Sequence, residues 1–571
     1  MSEELSYKFV SPKPTVEIHL PDHRVISGLR GAPVGKFLSL LHDEINYPIV
    51  GAVINFQLRE LTYPIQMCSV VQPVTMNDAD GMRFYRRSLT FLLETAFHLL
   101  FPEAVLTIDH SVVSGGYFCQ VYNRMPLSEQ ELGQLENQMR ELVEEDLPLV
   151  RKEYPLQDAI NYFRELGYND KIRLLKHRKK DHLVLYSLGE HRDYHHGYMV
   201  PSTGYLQWFA LTPIGDGFIL RFPRRHSPTE LQEIPDFLIL LDIFRQYGDW
   251  LTRLGIDSVG ALNDSILDGR IREIILVSEA LHEQRIAEIA GMIINRLRDV
   301  RVILIAGPSS SGKTTFAKRL SIQLLTRGIS PFSMEMDNYF VDRDSTPRDE
   351  NGEYDFESIG AVNTQRLGED ISKLISGQQV QLPQYDFKTG RSRPGEIVQL
   401  VPGQIIILEG IHGLNPQLTP NLPPEQTFRI YVSALTQLNL DRHNRVSTTD
   451  TRLIRRIVRD SRDRGYSAQD TINRWESVRR GEKRYIFPYQ ENADVMFNSA
   501  LVYELAALKP LAEPILRQVP FGTPEHIEAK RLLTFLEWFI PVDDDPIPDN
   551  SIIKEFVGES SLTDFRIWKN R

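Results

Sequence analysis

Cysteine is nearly absent from this 571-residue chain: Cys68 and Cys119 are the two it has, far apart in sequence. That excludes a disulfide framework and a thiolate metal site of the CxxC type. Long hydrophobic runs are missing too, since FLILLDIF (Phe237–Phe244) is far too short to cross a bilayer. The opening MSEELSYKFVSPKP has no basic region followed by an apolar one. No secretory signal is expected, and the protein reads as cytoplasmic with no membrane partner. Positive charge is not in excess either. Lys and Arg number 65 against 76 Asp and Glu, a net charge of −11. This argues against coating nucleic acid through general basicity, although a local basic patch can still hold phosphates.

What is present is ordinary for globular protein, with 42% hydrophobic and 25% charged residues. The length suggests three or four domains. Residues 1–75 alternate short apolar runs such as VEIHL with turn signals, the pattern of a small β-rich domain. Residues 76–222 mix a helical stretch (Arg87–Phe101) with strand-like segments such as GGYFCQVYN and HLVLYSLG, an α+β pattern. Residues 223–298 read as a helical connector that includes IREIILVSEALHEQRIAEIAGMIINRL. From 299 to 509 a β-α-β alternation predicts a parallel sheet with helices on both faces. Residues 510–571, with FIPVDDDPIPDNS, read as an ordered or partly ordered C-terminal tail.

The segment VILIAGPSSSGKTTFAKRL carries Gly307, four residues, then Gly312, Lys313 and Thr314, between an apolar strand and a helical pattern. This is a P-loop in its required context. Its glycines let the backbone curl so that the N–H groups of Ser309, Ser310, Ser311 and Thr315 meet phosphate oxygens at a helix N-terminus. Lys313 would neutralise the β- and γ-phosphates of ATP, and Thr314 would place its hydroxyl on Mg²⁺. QIIILEGIHG supplies a second metal carboxylate, Glu409, at the end of another strand.

PFSMEMDNYF reads as a strand delivering Asp337 to the same sheet edge, where a carboxylate can accept the proton of an attacking hydroxyl. EYDFES and PQYDFKTGRSR place Asp355 and Tyr385 beside aromatic neighbours, chemistry suited to a sugar–base ligand. In DTRLIRRIVRDSRDRG, Arg452, Arg455, Arg456 and Arg459 share one helical face, and Arg462 and Arg464 extend the cluster. Such a face suits a lid that closes on transferring phosphate.

The order P-loop, DNYF, YDF, PxYDF, LEGI and RLIRRIVRD resembles the uridine kinase and phosphoribulokinase family over about 200 residues. The resemblance implies an ATP·Mg²⁺-dependent kinase with a nucleoside 5′-hydroxyl as acceptor. It assigns Asp337 as general base and metal helper, and Glu409 as the metal-linked carboxylate. Asp355, Tyr385 and Arg455 fall on the acceptor side, with Arg459 and Arg464 as lid residues. It also implies a homo-oligomer. Pyrimidine-specific members carry a histidine shortly after the second YDF, where this chain has KTGRSR and Gly390. A kinase of another sugar or sugar phosphate and a nucleotide-switched RNA-binding regulator are the alternatives.

The first 222 residues resemble the N-terminal region of threonyl-tRNA synthetase. IVGAVINFQLRELTYPI is similar to its TGS domain, and DADGMRFYRRS, SGGYF and DYHHGYMVPSTG to its editing domain. The hydrolytic motif of that family falls here on Arg87, Phe91, His195 and Met199, which replaces three of its four polar groups. The resemblance therefore implies a binding role toward RNA or a small amino-acid-like ligand. His191, His195 and His196 read as a solvated or hydrogen-bonded run, since no cysteine or acidic ligand set accompanies them in sequence.

Overall fold

The computed structural model describes residues 11–112, 115–233, 238–349, 352–420, 422–543 and 545–565. The first ten residues and the start of FLILLDIF lie outside that range. It is a multidomain α/β and α+β protein. Its first sheet holds β1 (Thr15–His19), β2 (Val25–Leu29), β3 (Ile49–Ile54), β4 (Gln57–Glu60) and β5 (Ser69–Thr75), in the order β2-β1-β5-β3-β4. Strand β1 shows why the sheet is one-sided: Val16 and Ile18 are buried while Thr15, Glu17 and His19 face out. Alternation of period two puts one face on a core with Phe37 and Leu41.

The 22-residue helix Ala79–Leu100 follows. It shares a core with β6 (Val105–Val112), β7 (Gly116–Tyr122), β9 (His182–Leu188), β11 (Ala210–Ile214) and β12 (Gly217–Arg221), and β8 (Val150–Pro155) and β10 (His191–Asp193) pair with β9. These strands form one antiparallel sheet, β11-β12-β7-β6, and a three-stranded sheet, β10-β9-β8. The helical stretch after β12 resolves into Leu238–Leu254, Val259–Leu267 and Ile271–Asn295.

The P-loop sheet has the order β14-β17-β13-β18-β19, all parallel: β13 (Val302–Ala306), β14 (Pro331–Glu335), β17 (Ile405–Glu409), β18 (Thr427–Ser433) and β19 (Val495–Asn498). Every residue of β13 is buried, as a central strand covered on both faces requires. Helices Ile271–Asn295, Lys313–Leu325 and Glu504–Leu516 pack on one side. Helix Thr364–Ile375 packs on the other with the hairpin β15 (Val380–Asp386) and β16 (Arg391–Val398).

The C-terminal stretch is ordered and docks on the kinase half. The boundary set at residue 509 falls inside helix Glu504–Leu516, and a further helix spans Pro524–Leu536. Ile552, Ile553 and Phe556 are fully buried in the same core as the P-loop helix. Apolar residues interspersed with Asp and Pro hid this docking, because no period marks it. Among the described residues no helix is long and apolar enough to cross a membrane.

Candidate active site

Strand β13 delivers the chain into the loop 307–312, and helix Lys313–Leu325 leaves it. Two residues turn through the left-handed region, Ser310 (φ 57°) and Gly312 (φ 84°). Gly307 is obligatory for a different reason: a Cβ there would stand 2.0 Å from the Val432 carbonyl oxygen. The hydroxyls of Ser310 and Ser311 are buried without a hydrogen-bond partner. Buried polar atoms are normally satisfied, so these orphans and the exposed helix start at Thr314 fit a phosphate-bearing ligand.

Lys313 is buried, with Nζ donating to the Pro308 carbonyl at 3.2 Å. Burial pushes its pKa down, while Glu409, Glu555 and Asp337 pull it back up. Thr314 Oγ1 donates to Glu409 Oε2 at 3.3 Å, so the expected metal pair is already adjacent. Burial pushes Glu409 up to about 7, against the pull of Lys313 and with the push of Asp337. Asp337 lies in the turn after β14, accessible to solvent but crowded. Crowding raises its pKa, and Lys313 lowers it. Glu357, which sequence reasoning did not single out, is also raised to about 7 by burial, offset by Arg456 and Lys313.

The two YDF segments converge on the ring of Phe340. Tyr385 lies 5.6 Å from it, Phe356 6.2 Å and Phe387 6.3 Å. Phe387 is exposed and Tyr385 buried. Asp355 accepts a hydrogen bond from the Tyr485 hydroxyl at 3.3 Å. Gly390 takes φ 70°, and a Cβ there would meet Arg343 Nε at 2.7 Å. At the place the resemblance gives to a histidine, this chain therefore packs Arg343 against Gly390. A separate cavity of about 240 Å³, lined by Tyr339, Phe340, Asp342, Arg366 and Ser392, adjoins this region without including Asp337 or Lys313.

The arginine helix, Thr448–Asp463, divides in two. Arg455 requires a correction: it is fully buried, ion-paired with Glu504, and donates to the Ser310 and Ser499 carbonyls. It supports the P-loop from beneath and cannot reach an acceptor. Arg452 behaves alike, pairing with buried Glu482 and donating to the Ser309 carbonyl at 2.9 Å. The helical face that looked like a lid turns inward at these two positions. Arg456, Arg459 and Arg464 lie outward and converge on buried Asp460, at 3.2, 2.9 and 3.4 Å. Arg456 also donates to Ser309 Oγ at 2.9 Å.

The far C-terminus contributes a group that sequence reasoning missed. Glu555 Oε2 accepts from the Thr315 backbone N–H at 3.3 Å and from its hydroxyl at 2.8 Å. Thr315, expected on phosphate, thus carries a carboxylate in this structure. Arg462 holds that segment by donating to the Phe556 and Glu555 carbonyls, and Lys318 donates to the Leu562 carbonyl. A Cβ on Gly312 would meet Ile552 at 2.5 Å.

In the N-terminal half, Arg87 donates to the Tyr198 carbonyl, and Phe91 packs against the rings of His191 and His195 at 5.6 and 5.3 Å. Met199 is buried. Of the two expectations for the histidine run, the hydrogen-bonded one describes His195 and His196. His191 and His195 are buried, and His195 Nε2 lies 3.1 Å from Glu94 Oε2. His196 Nδ1 lies 3.3 Å from the Tyr194 hydroxyl, while its backbone N–H donates to Asn444 Oδ1 at 3.1 Å.

Comparison with known proteins divides along the same line. The N-terminal region is similar to the threonine–tRNA ligase of Burkholderia vietnamiensis, 30% identical over 204 residues, which is 36% of this chain. The match spans 32% of that protein's length. Among solved structures, one described as a "Possible Uridine Kinase" from Bacillus stearothermophilus is 22% identical, covering 36% of this chain and all of its own, with a TM-score of 0.25. D-glycerate 3-kinase from Cryptococcus neoformans is 15% identical, covering 46% of this chain and 89% of its own, with a TM-score of 0.21. Residues 302–506, the segment that builds the P-loop sheet and carries Lys313, Asp337, Glu409 and the arginine helix, match the model of the Phosphoribulokinase / Uridine kinase family.

Proposed function

We propose that the P-loop half is an ATP-dependent kinase that phosphorylates the 5′-hydroxyl of a nucleoside. The observation that carries this reading is Asp337, an accessible carboxylate beside Lys313 and Glu409 at the mouth of the P-loop. A raised carboxylate close to a lysine is placed to take a hydroxyl proton at neutral pH. Lys313 balances phosphate charge, while the loop N–H groups and the Ser310 and Ser311 hydroxyls orient the phosphate chain. Thr314, Glu409 and Asp337 are the residues that would hold Mg²⁺, whose role when bound is to neutralise the phosphates. Arg456, Arg459 and Arg464 stand on the outward side of the arginine helix, and release from Asp460 would free them for the transferring group. The Phe340, Tyr385 and Phe387 rings, set edge-to-face at 76–89°, offer apolar surface and ring edges to a base, and Asp355 immediately precedes Phe356, which joins the same aromatic group.

A second reading, a sugar phosphate as acceptor, is favoured by Arg343 at Gly390 and by Arg348, whose guanidinium lies 4.3 Å from the Tyr354 ring centre. Two guanidinium groups beside the acceptor aromatics suit an anionic substrate. ATP consumption against a panel of nucleosides, sugars and sugar phosphates, with products identified by mass, separates the two. A nucleoside 5′-monophosphate supports the first reading and a sugar bisphosphate the second. ATP binding without turnover of any acceptor would remove both and leave the nucleotide-switched regulator.

For the N-terminal half, the similarity to threonine–tRNA ligase supports a binding role toward RNA or a small amino-acid-like ligand. Absence of tRNA retention on a filter, together with no stabilisation by amino acids, would count against it. Homo-oligomer formation, which the kinase resemblance suggests, is read directly by light scattering.

A further inference from the structure

A second group of charged side chains lies where the N-terminal half meets the loop after β18. It draws on four separate parts of the chain. Glu94 comes from helix Ala79–Leu100, and Asp193 and His195 from the end of β10. Lys171 comes from helix Asn169–Lys176, and Asp441 and His443 from the loop before the arginine helix. None of the six is more than 6% exposed.

Lys171 Nζ lies 2.9 Å from Asp193 Oδ1 and 3.0 Å from Asp441 Oδ1. Asp441 is further satisfied by the backbone N–H groups of His443 and Asn444. What remains is Asp193 Oδ2, Glu94 and two imidazoles. His195 Nε2 is 3.1 Å from Glu94 Oε2, while His443 Nδ1 is 3.4 Å from Glu94 Oε2 and 2.7 Å from Asp193 Oδ2. Donor atoms of Glu94, Asp193 and His195 all lie within 4.8 Å of one another. With metal–ligand bonds of about 2.0–2.1 Å, the edges of a tetrahedron are about 3.3 Å, so these side chains need small shifts to surround one ion.

Charge points the same way. Three carboxylates face one ammonium, leaving a surplus of two negative charges where there is almost no water. Such a surplus is costly unless a cation or protons remove it. Two further observations suggest an absent ligand. Glu94 Oε1 is buried with no partner, and so is His191 Nε2. A cavity of about 20 Å³ abuts the cluster and is lined by Glu94, His98, Tyr168, His191, Arg442 and His443.

We propose that Glu94, Asp193, His195 and His443 bind one divalent transition-metal cation, zinc foremost, that staples the N-terminal half to the kinase half. Two imidazole and two carboxylate donors suit zinc rather than magnesium or calcium, which prefer all-oxygen shells. Four protein ligands close the sphere, which makes the ion structural rather than catalytic. Its charge cancels the surplus, and Lys171 remains as the neighbour that holds Asp193 in place.

The test is elemental analysis of the full-length, untagged protein, as purified and again after incubation with Zn²⁺ and desalting. The expected result is about one zinc per chain, falling below ~0.2 in both Glu94→Gln and His195→Gln. Replacement by Co²⁺ should give the visible absorption of a tetrahedral nitrogen–oxygen site, which reads the geometry in the wild type even if the variants do not fold. Less than ~0.1 equivalent of metal in the wild type after Zn²⁺ incubation would overturn the proposal and assign the surplus charge to protons. Retention of the ion in a folded His195→Gln/His443→Gln protein would overturn it as well, by placing the ion elsewhere.

Discussion

The protein contains two lysine–carboxylate clusters that use the same residue types in opposite ways. At the P-loop, Lys313 stands with Glu409 and Asp337 beside Thr314, which is exposed, and the hydroxyls of Ser310 and Ser311 have no partner. At the junction of the halves, Lys171 is locked between Asp193 and Asp441, all three buried. Both clusters are crowded, and crowding shifts pKa values in both. What distinguishes them is access: Thr314 and Asp337 open the P-loop cluster to solvent, whereas Glu94, Lys171, Asp193 and Asp441 are all buried. Partnerless hydroxyls at an open helix N-terminus call for a phosphate-bearing ligand. Charge sealed between two halves calls for a partner that stays.

The sharpest way to break this comparison is to remove the P-loop cation. Lys313→Ala should lower turnover by about 10³-fold or more while leaving the folded structure intact by circular dichroism. A comparable loss of fold would mean Lys313 is structural, like Lys171. Next in size is Arg455→Ala. It leaves Glu504 buried and uncompensated, and should destabilise the chain by about 3–5 kcal/mol in denaturant unfolding. An effect on acceptor KM without loss of stability would instead restore Arg455 to the acceptor side.

A smaller effect is expected at Glu555. Its carboxylate accepts from Thr315 at the start of the P-loop helix, where phosphate would compete with it. Glu555→Gln should lower the KM for ATP by roughly 3–10-fold with little change in kcat. An unchanged KM would show that ATP leaves this contact undisturbed.

The smallest effect is on pH dependence. Glu409 and Glu357 are both raised to about 7 from an ordinary 4.5, so the folded state holds protons that the unfolded state has lost. Their contribution favours the folded state at low pH and is lost as pH rises through about 7. Mg²⁺ needs the ionised Glu409, so metal-dependent ATP binding should tighten several-fold between about pH 6 and 8. Glu409→Gln should flatten that profile.

The P-loop site was legible because its signals are local. A strand, a glycine-bracketed loop and a helix occupy one short stretch, and strand ends deliver Asp337 and Glu409. Arg455 was misread because its partner, Glu504, lies 49 residues further on. Four arginines at helical spacing look alike until one knows which side the core is on. Glu555 lies in a segment with no periodicity to announce that it docks. The histidine run near His195 lacked acidic companions in sequence, yet the fold supplies Glu94, 101 residues away, and His443, 250 residues from Asp193. Local chemistry can be read from a sequence, whereas charge gathered across long separations needs the fold.

The most direct test of the central claim is a paired measurement on Asp337→Asn: ATP·Mg²⁺ affinity by calorimetry, and acceptor-dependent turnover with the acceptor that the panel identifies. The account predicts turnover down by about 10²–10⁴-fold, the span of a lost general base, with ATP·Mg²⁺ affinity lowered far less because Thr314 and Glu409 still hold the metal. Turnover retained in Asp337→Asn, or affinity falling as far as turnover does, would contradict the assignment of Asp337 as the residue that takes the hydroxyl proton.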